Sequence, residues 1–342
     1  MTNGLRVELR GYVAKSAGAV SAQRLPYLLV APVVIFALVF LVARFAGNVF
    51  GAPSQDLNPF KDRAPHVPSS AKVFAAIDSA PESDRAVLQR MAQVPTAVWL
   101  TPEANPVEHV EHTVARMRQE ARKAGRTAVF VVYGITDRDC SGVESSGGLP
   151  ADQYVQWVSE IASGAGPESA AILEPDALAT ASECSDFDQR MSLLRQAVDV
   201  LTTGRGPTLY VDAGHANWLV PADMVALLKA VGVDKARGFS TNVSGYEASS
   251  DELAYAEELS RQLGGAHYVI DTSRNGAGSD GQWCNPSGRA LGVEPQVGAE
   301  GHLDAYLWVK PPGESDGECA GGPPAGEFWV ERAVELARNA GW

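Results

Sequence analysis

Residues 128–140 read AVFVVYGITDRDC, and this stretch sets the fold. Apolar and aromatic residues run from Ala128 to Tyr133 without a polar break, then give way to Gly134 and an Asp-rich turn. A half-exposed strand alternates polar with apolar residues. An unbroken run is the habit of a strand buried on both faces of a parallel sheet. The pattern recurs in AVWL (97–100), AAILEP (170–175), TLYVDA (208–213), GFSTNV (238–243), HYVID (267–271) and DAYLWVK (304–310). Starts lie roughly thirty to forty residues apart, the length of one βα unit. Amphipathic segments at 107–124, 151–163, 186–203, 221–231 and 250–263 fill the intervals, and a last helix is expected over 328–340. Strands that always return in one direction imply a parallel sheet with helices outside. No G-x-G-x-x-G or G-x-x-x-x-G-K-[ST] follows any run, which argues against an open nucleotide-binding sheet. The expectation is an α/β fold, a parallel β/α barrel of the TIM type with seven strands, over residues 72–342.

Outward from the barrel, the N-terminus differs in character. The chain has 342 residues with 28 Lys+Arg, 41 Asp+Glu and a net charge of −13. Such an acidic chain lacks the basic face that nucleic acid requires. Residues 1–47 nevertheless carry Arg6, Arg10, Lys15, Arg24 and Arg44 against Glu8 alone. Between them Tyr27–Ala43 reads YLLVAPVVIFALVFLVA, free of charge. Leu25 and Pro26 extend it, so residues 25–43 read as a membrane anchor or the core of an export signal. Basic residues ahead of the run stay cytoplasmic, which puts the rest of the chain outside, either tethered at the cell surface or secreted. Residues 48–71 hold prolines, glycines and small polar residues and read as a linker. All four cysteines, Cys140, Cys184, Cys284 and Cys319, follow the apolar run. An even count in an exported domain points to two disulfides, with three connectivities open. Zinc is not expected, since no C-x-x-C pair exists and no His stands at ligand spacing beside a Cys.

In such barrels chemistry sits at the C-terminal ends of the strands. Those ends are acidic here: Asp137 and Asp139, Glu174 and Asp176, Asp212, Asp271, then Glu314 and Asp316. A single Asp after a strand is usually a turn former or helix cap. Carboxylates after five strands are different, because they converge, repel and spread their pKa values. Divalent-metal chemistry and glycoside cleavage by a carboxyl pair both use such a cleft. Trp99, Trp218, Trp283, Tyr133 and Tyr246 fall at or just after strand ends, where flat rings suit the faces of pyranose sugars. A metal mechanism would call for more His among the ligands. The balance favours a sugar, and no metal or cofactor is expected.

The segments VVYGITDRDCSGVESSGG, ILEPDALA, YVDAGHANWL, GFSTNVSGY, YVIDTSRNGAG, WCNPSGRALG and AYLWVKPPGESDGEC resemble, in order over residues 95–342, the motifs of glycoside hydrolase family six. The resemblance implies a distorted seven-stranded β/α barrel that hydrolyses β-1,4-glucan with inversion. It implies Asp176 as catalytic acid. Asp139 would raise that acid's pKa and help pass on the proton of the attacking water. It implies Tyr133 crowding the sugar at the cleavage point, Asp212 supporting the acid, and Asp316 as a debated base. Trp99, His215, Trp218, Asn242, Trp283, Arg289, Lys310 and Glu314 match positions that bind glucose units. Cys140–Cys184 and Cys284–Cys319 are the implied disulfides; each pair follows neighbouring strands, so their loops lie side by side. The GESDGEC loop is one residue longer before its Cys than in some bacterial members, which bears on the position of Asp316. Only about twenty residues separate Arg289 from Lys310, little for the long roof of a cellobiohydrolase. The expected protein is a monomeric endo-β-1,4-glucanase. A cellobiohydrolase and an inactive glucan-binding surface protein are the alternatives.

Overall fold

The seven apolar runs become strands in the computed structural model, which describes residues 54–140, 146–299 and 301–342. They are β1 (Val98–Leu100), β2 (Ala128–Val132), β3 (Ser169–Leu173), β4 (Thr208–Asp212), β5 (Gly238–Thr241) and β6 (His267–Asp271), with the seventh numbered β8 (Leu303–Leu307). An eighth strand that the sequence reading omits, β7 (Gln296–Val297), is two residues long and pairs antiparallel with β8. The order β1-β2-β3-β4-β5-β6-β8-β7 puts successive parallel strands side by side. No ladder joins β1 to β8 among the described residues. The seam is held by Ala97 N donating to Trp308 O at 3.0 Å and Trp99 Nε1 donating to Val309 O at 2.9 Å. This open seam is the distortion of the barrel.

Every residue of β2, β3 and β4 is buried, and alternation sorts them by face. Val129, Val131, Ala170, Ile172 and Tyr210 meet Val269, Ala305 and Leu307 inside the barrel. Phe130, Val132, Ala171, Leu173, Leu209 and Val211 face outward into the layer shared with the helices. Each large side chain so buried contributes about 1.5–3 kcal/mol. The outer helices are α3 (Val107–Lys123), α4 (Ala151–Ala165), α5 (Phe187–Thr202), α6 (Pro221–Val231) and α7 (Ser249–Gln262); α1 (Lys72–Ser79), α2 (Glu82–Met91) and α8 (Val330–Asn339) form a further layer. Local signals place their ends. Asp186 caps α5 by accepting from Gln189 N at 2.9 Å. Pro221 opens α6, and Gly232 closes it with φ 86°.

The boundary expected at residue 72 moves toward the N-terminus. Phe60, inside the expected 48–71 linker, is only 1% exposed and joins the barrel interior, stacked 6.5 Å from Tyr210. Gln55 Oε1 accepts from Leu209 N at 2.9 Å and Arg237 N at 3.0 Å, and Gln55 Nε2 donates to Pro207 O at 2.8 Å. The segment from Gln55 therefore plugs the end of the barrel where strands begin. Its proline and polar content reads as a linker only because the plug uses few side chains. The basic lead 1–47 and the apolar run 25–43 lie outside the described residues. Among the described residues no helix is long and apolar enough to cross a membrane.

Candidate active site

The strand ends collect unusual backbone. Asp139 (φ 60°), Glu174 (φ 46°), Asp176 (φ 70°), Asn242 (φ 61°), Ser244 (φ 60°) and Asn285 (φ 47°) all lie in the left-handed region. Asp and Asn tolerate it better than other non-glycine residues. Such strain concentrates where a rigid scaffold over-determines a loop, and here that is one end of the barrel.

Asp176 is an acid held protonated by its surroundings. Burial first, then the charges of Asp212, Asp139 and Asp316, raise its pKa well above the ordinary aspartate value, with Lys310 opposing. Its backbone N–H donates to Asp212 Oδ1 at 3.0 Å, and Thr180 N and Oγ1 both donate to its carbonyl at 2.9 Å. The loop is thus fixed without help from the Asp176 carboxyl. Asp212 also accepts from Gly214 N at 3.0 Å and Ser240 Oγ at 3.1 Å. Burial lifts it to about 7, while those donors pull it down. Of the two, Asp212 is the carboxylate and Asp176 the acid. Asp139 accepts from Tyr133 Oη at 2.8 Å. The Tyr133 ring is gripped by the Arg138 guanidinium at 4.6 Å and the edge-on Trp99 ring at 5.1 Å.

Asp316 has the opposite environment. Burial would raise its pKa, but Arg274 and Lys310 outweigh it and hold the carboxyl below the usual range. Arg274 Nη1 contacts its two oxygens at 2.9 and 3.0 Å, and Lys310 Nζ lies 3.6 Å away. Tyr246 Oη donates at 3.1 Å and Asn285 N at 3.0 Å. Lys310 is pushed down by burial, and its Nζ sits 5.5 Å over the Trp99 ring. Glu314, raised by burial, pairs with Lys72 at 3.6 Å. On the other flank His215 lies 5.0 Å from Trp218, and burial lowers its pKa. Trp283 is 66% exposed.

Two expected sugar contacts are occupied otherwise. Asn242 is fully buried. Its amide donates to Glu247 O at 3.2 Å and Asp271 O at 2.9 Å, while its oxygen accepts from Glu247 N at 3.2 Å. It braces a loop rather than facing a ligand. Arg289 binds Gly278 O at 2.6 Å and Ser287 O at 3.2 Å, and pairs with Asp280 at 3.4 Å, so it clamps its own loop. The disulfides are Cys140–Cys184 and Cys284–Cys319, as expected. Sequence reading missed Arg274, Asn285 and Ser240, and it set Tyr246 among the rings for sugar faces, whereas Tyr246 is buried and its hydroxyl donates to Asp316. Arg274 carried the one available signal, a cation three residues past the strand-end Asp271. Glu174 is also more than a strand end. Burial raises it to about 7, and it accepts from Gly134 N at 2.9 Å and Tyr154 Oη at 3.0 Å, tying the β2 and β3 loops together. Among the described residues no group of three His, Cys, Asp or Glu side chains is arranged to hold a metal ion.

Known proteins share this arrangement of strands and loops. Residues 61–340 match the family described as Glycosyl hydrolases family 6. Endoglucanase A of Cellulomonas fimi is 45% identical over 278 residues, which cover 81% of this chain and 61% of that protein. The chain therefore spans about three-fifths of that relative's length. A 1,4-beta-D-glucan cellobiohydrolase of Podospora anserina is 30% identical over 308 residues, 72% of either chain. The endoglucanase Cel6 from Mycobacterium tuberculosis, solved in complex with methyl-cellobiosyl-4-deoxy-4-thio-β-D-cellobioside, superposes with a TM-score of 0.80 at 44% identity, covering 84% of this chain and all of that one. With the match running from just past the barrel plug to the last helix, the chain belongs to glycosyl hydrolase family 6.

Proposed function

We propose that this protein is an endo-acting β-1,4-glucanase that inverts the anomeric configuration. The observation that carries the reading is the buried Asp176 carboxyl, kept protonated by burial and three neighbouring carboxylates. Such a group delivers a proton to a glycosidic oxygen as the bond breaks. Water attacks the opposite face of the sugar, and its proton leaves toward Asp139. Tyr133, hydrogen-bonded to Asp139, crowds the ring at the cleavage point. Asp316 already accepts from Arg274, Tyr246 and Asn285, so its part is a fixed negative charge near the developing oxocarbenium ion. Trp99, Trp218 and the exposed Trp283 supply flat faces for glucose units along the cleft. Lys310, Glu314 and His215 supply polar partners.

Endo action is favoured over a cellobiohydrolase by the route between Arg289 and Lys310. Residues Gln296–Val297 pair with Ala305 and Tyr306 at the sheet edge, so this segment is built into the sheet instead of arching over the cleft. The test is product analysis on soluble carboxymethyl cellulose. Endo cleavage makes viscosity fall early, with few reducing ends released. Cellobiose as the sole early product with viscosity preserved would favour the cellobiohydrolase, and no product at all a glucan-binding protein.

A further inference from the structure

We propose that Asp271 is a positioning residue for Asp316, holding through backbone N–H groups the three loops whose side chains fix the Asp316 carboxylate. The inference rests on the reading of Asp316 as a fixed charge.

Asp271 closes β6 and is 1% exposed. Its Oδ1 accepts from Ser273 N at 2.9 Å and Val309 N at 3.2 Å. Its Oδ2 accepts from Ser244 N at 3.1 Å and Lys310 N at 2.9 Å. Four donors fill the lone-pair sites of one carboxylate. They come from the loops after β5, β6 and β8.

The same three loops build the cage around Asp316. Arg274, whose Nη1 is shared between both Asp316 oxygens, follows Ser273 directly. Tyr246, which donates to Asp316 at 3.1 Å, lies two residues past Ser244. Lys310, 3.6 Å from Asp316, is itself gripped by Asp271 through its backbone N–H. Arg274 Nη2 further donates to Ser244 O, which links two of the loops. Asn285 reaches Asp316 from farther along the loop after β6, twelve residues past Ser273. Asp271 is buried, and its carboxylate oxygens are taken up by backbone N–H groups. Its influence passes through the loops to the charge that the cage maintains.

An Asp271→Asn substitution keeps the volume but turns N–H groups toward backbone N–H groups. The loops must shift to relieve this, and Arg274 and Lys310 shift with them. The groups facing Asp316 are Arg274, Lys310 and Tyr246, with Asp176 and Glu314 beyond. Loss of the Asp271 charge alone would lower the pKa of nearby carboxyls and move the acid limb of the activity profile to lower pH. Loosening the two cations from Asp316 raises its pKa and moves that limb to higher pH. The direction separates positioning from simple charge removal.

The experiment is a double-mutant cycle with Asp271→Asn and Asp316→Asn, with kcat and KM measured on a fluorogenic cello-oligosaccharide across pH. Asp271→Asn should lower kcat about 10²-fold, the usual effect of an ångström-scale misplacement. KM should stay within about threefold, and the acid limb should shift upward. In the Asp316→Asn background the same change should alter kcat by less than about threefold. Equal losses in both backgrounds, an acid limb that stays or moves down, or an unaltered kcat would overturn the proposal. Should Asp271→Asn fail to fold, Asp271→Glu keeps the charge one methylene out of place and carries the same cycle with the same criteria. Failure of the functional reading looks different. Asp176→Asn would then leave glucan hydrolysis intact, while coupling between Asp271 and Asp316 is measured independently.

Discussion

Replacing Asp176 by Asn removes the proton that the site is arranged to deliver and leaves almost everything else in place. The backbone at Asp176 has φ 70°, a conformation Asn accepts as readily as Asp. The loop is pinned by the Asp176 N–H on Asp212 and by the two donors of Thr180, none of which involves the carboxyl being replaced. The loss is therefore chemical. A positioned general acid contributes ~10²–10⁴-fold, equivalent to about 2.7–5.4 kcal/mol of transition-state stabilisation at 1.36 kcal/mol per decade. Hydrolysis of carboxymethyl cellulose, followed by reducing ends, should fall by that factor. A dinitrophenyl β-cellobioside, whose leaving group needs little protonation, should lose far less. Melting should not suffer, because a buried carboxyl whose pKa is raised destabilises the fold as pH rises, and Asn has no such charge to form. Equal losses on polymer and activated substrate would refute the reasoning, since the carboxyl would then serve something other than leaving-group protonation.

Proton NMR of the first turnovers should find the α anomer at the new reducing end, and a β anomer appearing first excludes inversion. Asp212→Asn removes a charge that raises the pKa of Asp176, so the alkaline limb of kcat/KM should move to lower pH; a limb that stays or rises contradicts the coupling. Burial raises Glu174 and Glu252 to about 7 each in the fold, so the stability they supply is complete below their unfolded values near pH 4 and is lost as pH rises toward 7. The melting temperature should accordingly be higher at pH 5 than at pH 7.5, and the reverse order would show that other groups dominate. Full-length protein should pellet with membranes and be released only by detergent, given the uncharged run 27–43. A soluble extracellular form whose N-terminus begins between residues 46 and 56 would make that run a cleaved signal.

The strands were legible because burial on both faces leaves a run such as AVFVVY with no competing interpretation, and the helices because their apolar residues recur with helical period. The β7 strand escaped notice because two exposed residues, Gln296 and Val297, carry no pattern; only the partner strand makes them a strand. The plug is hard to read from sequence for a related reason. Gln55 and Phe60 matter through where they sit, beneath Tyr210 and the starts of β4 and β5, and nothing nearby in sequence announces it. At the site, the acids were legible by position after strands. What surrounds each of them was not. Asn242 and Arg289 lie in motif segments and still serve their own loops, whereas Arg274 and Asn285, in the same segments, complete the Asp316 cage.

One side-chain type performs three tasks in this barrel, and the surroundings decide which. Asp176 is buried and crowded by other carboxylates, which outweigh Lys310, so it keeps a proton. Asp316 is met by a guanidinium and an ammonium, so it keeps a charge despite burial. Asp271 is met by four backbone N–H groups, which hold the carboxylate and make it a tie between loops. The parallel sheet makes the division workable. Every strand ends at the same face, so each loop can bring either a charge or a plain N–H to a neighbour's acid. A residue's task is then set by which loops its own strand stands between. β6, between β5 and β8, puts Asp271 within reach of both flanking loops at once. β3, between β2 and β4, puts Asp176 among the acids of both its neighbours. The order of strands thus sets the electrostatics of the cleft, and exchanging Asp for Glu at either position would change the reach of the carboxyl without changing which loops surround it.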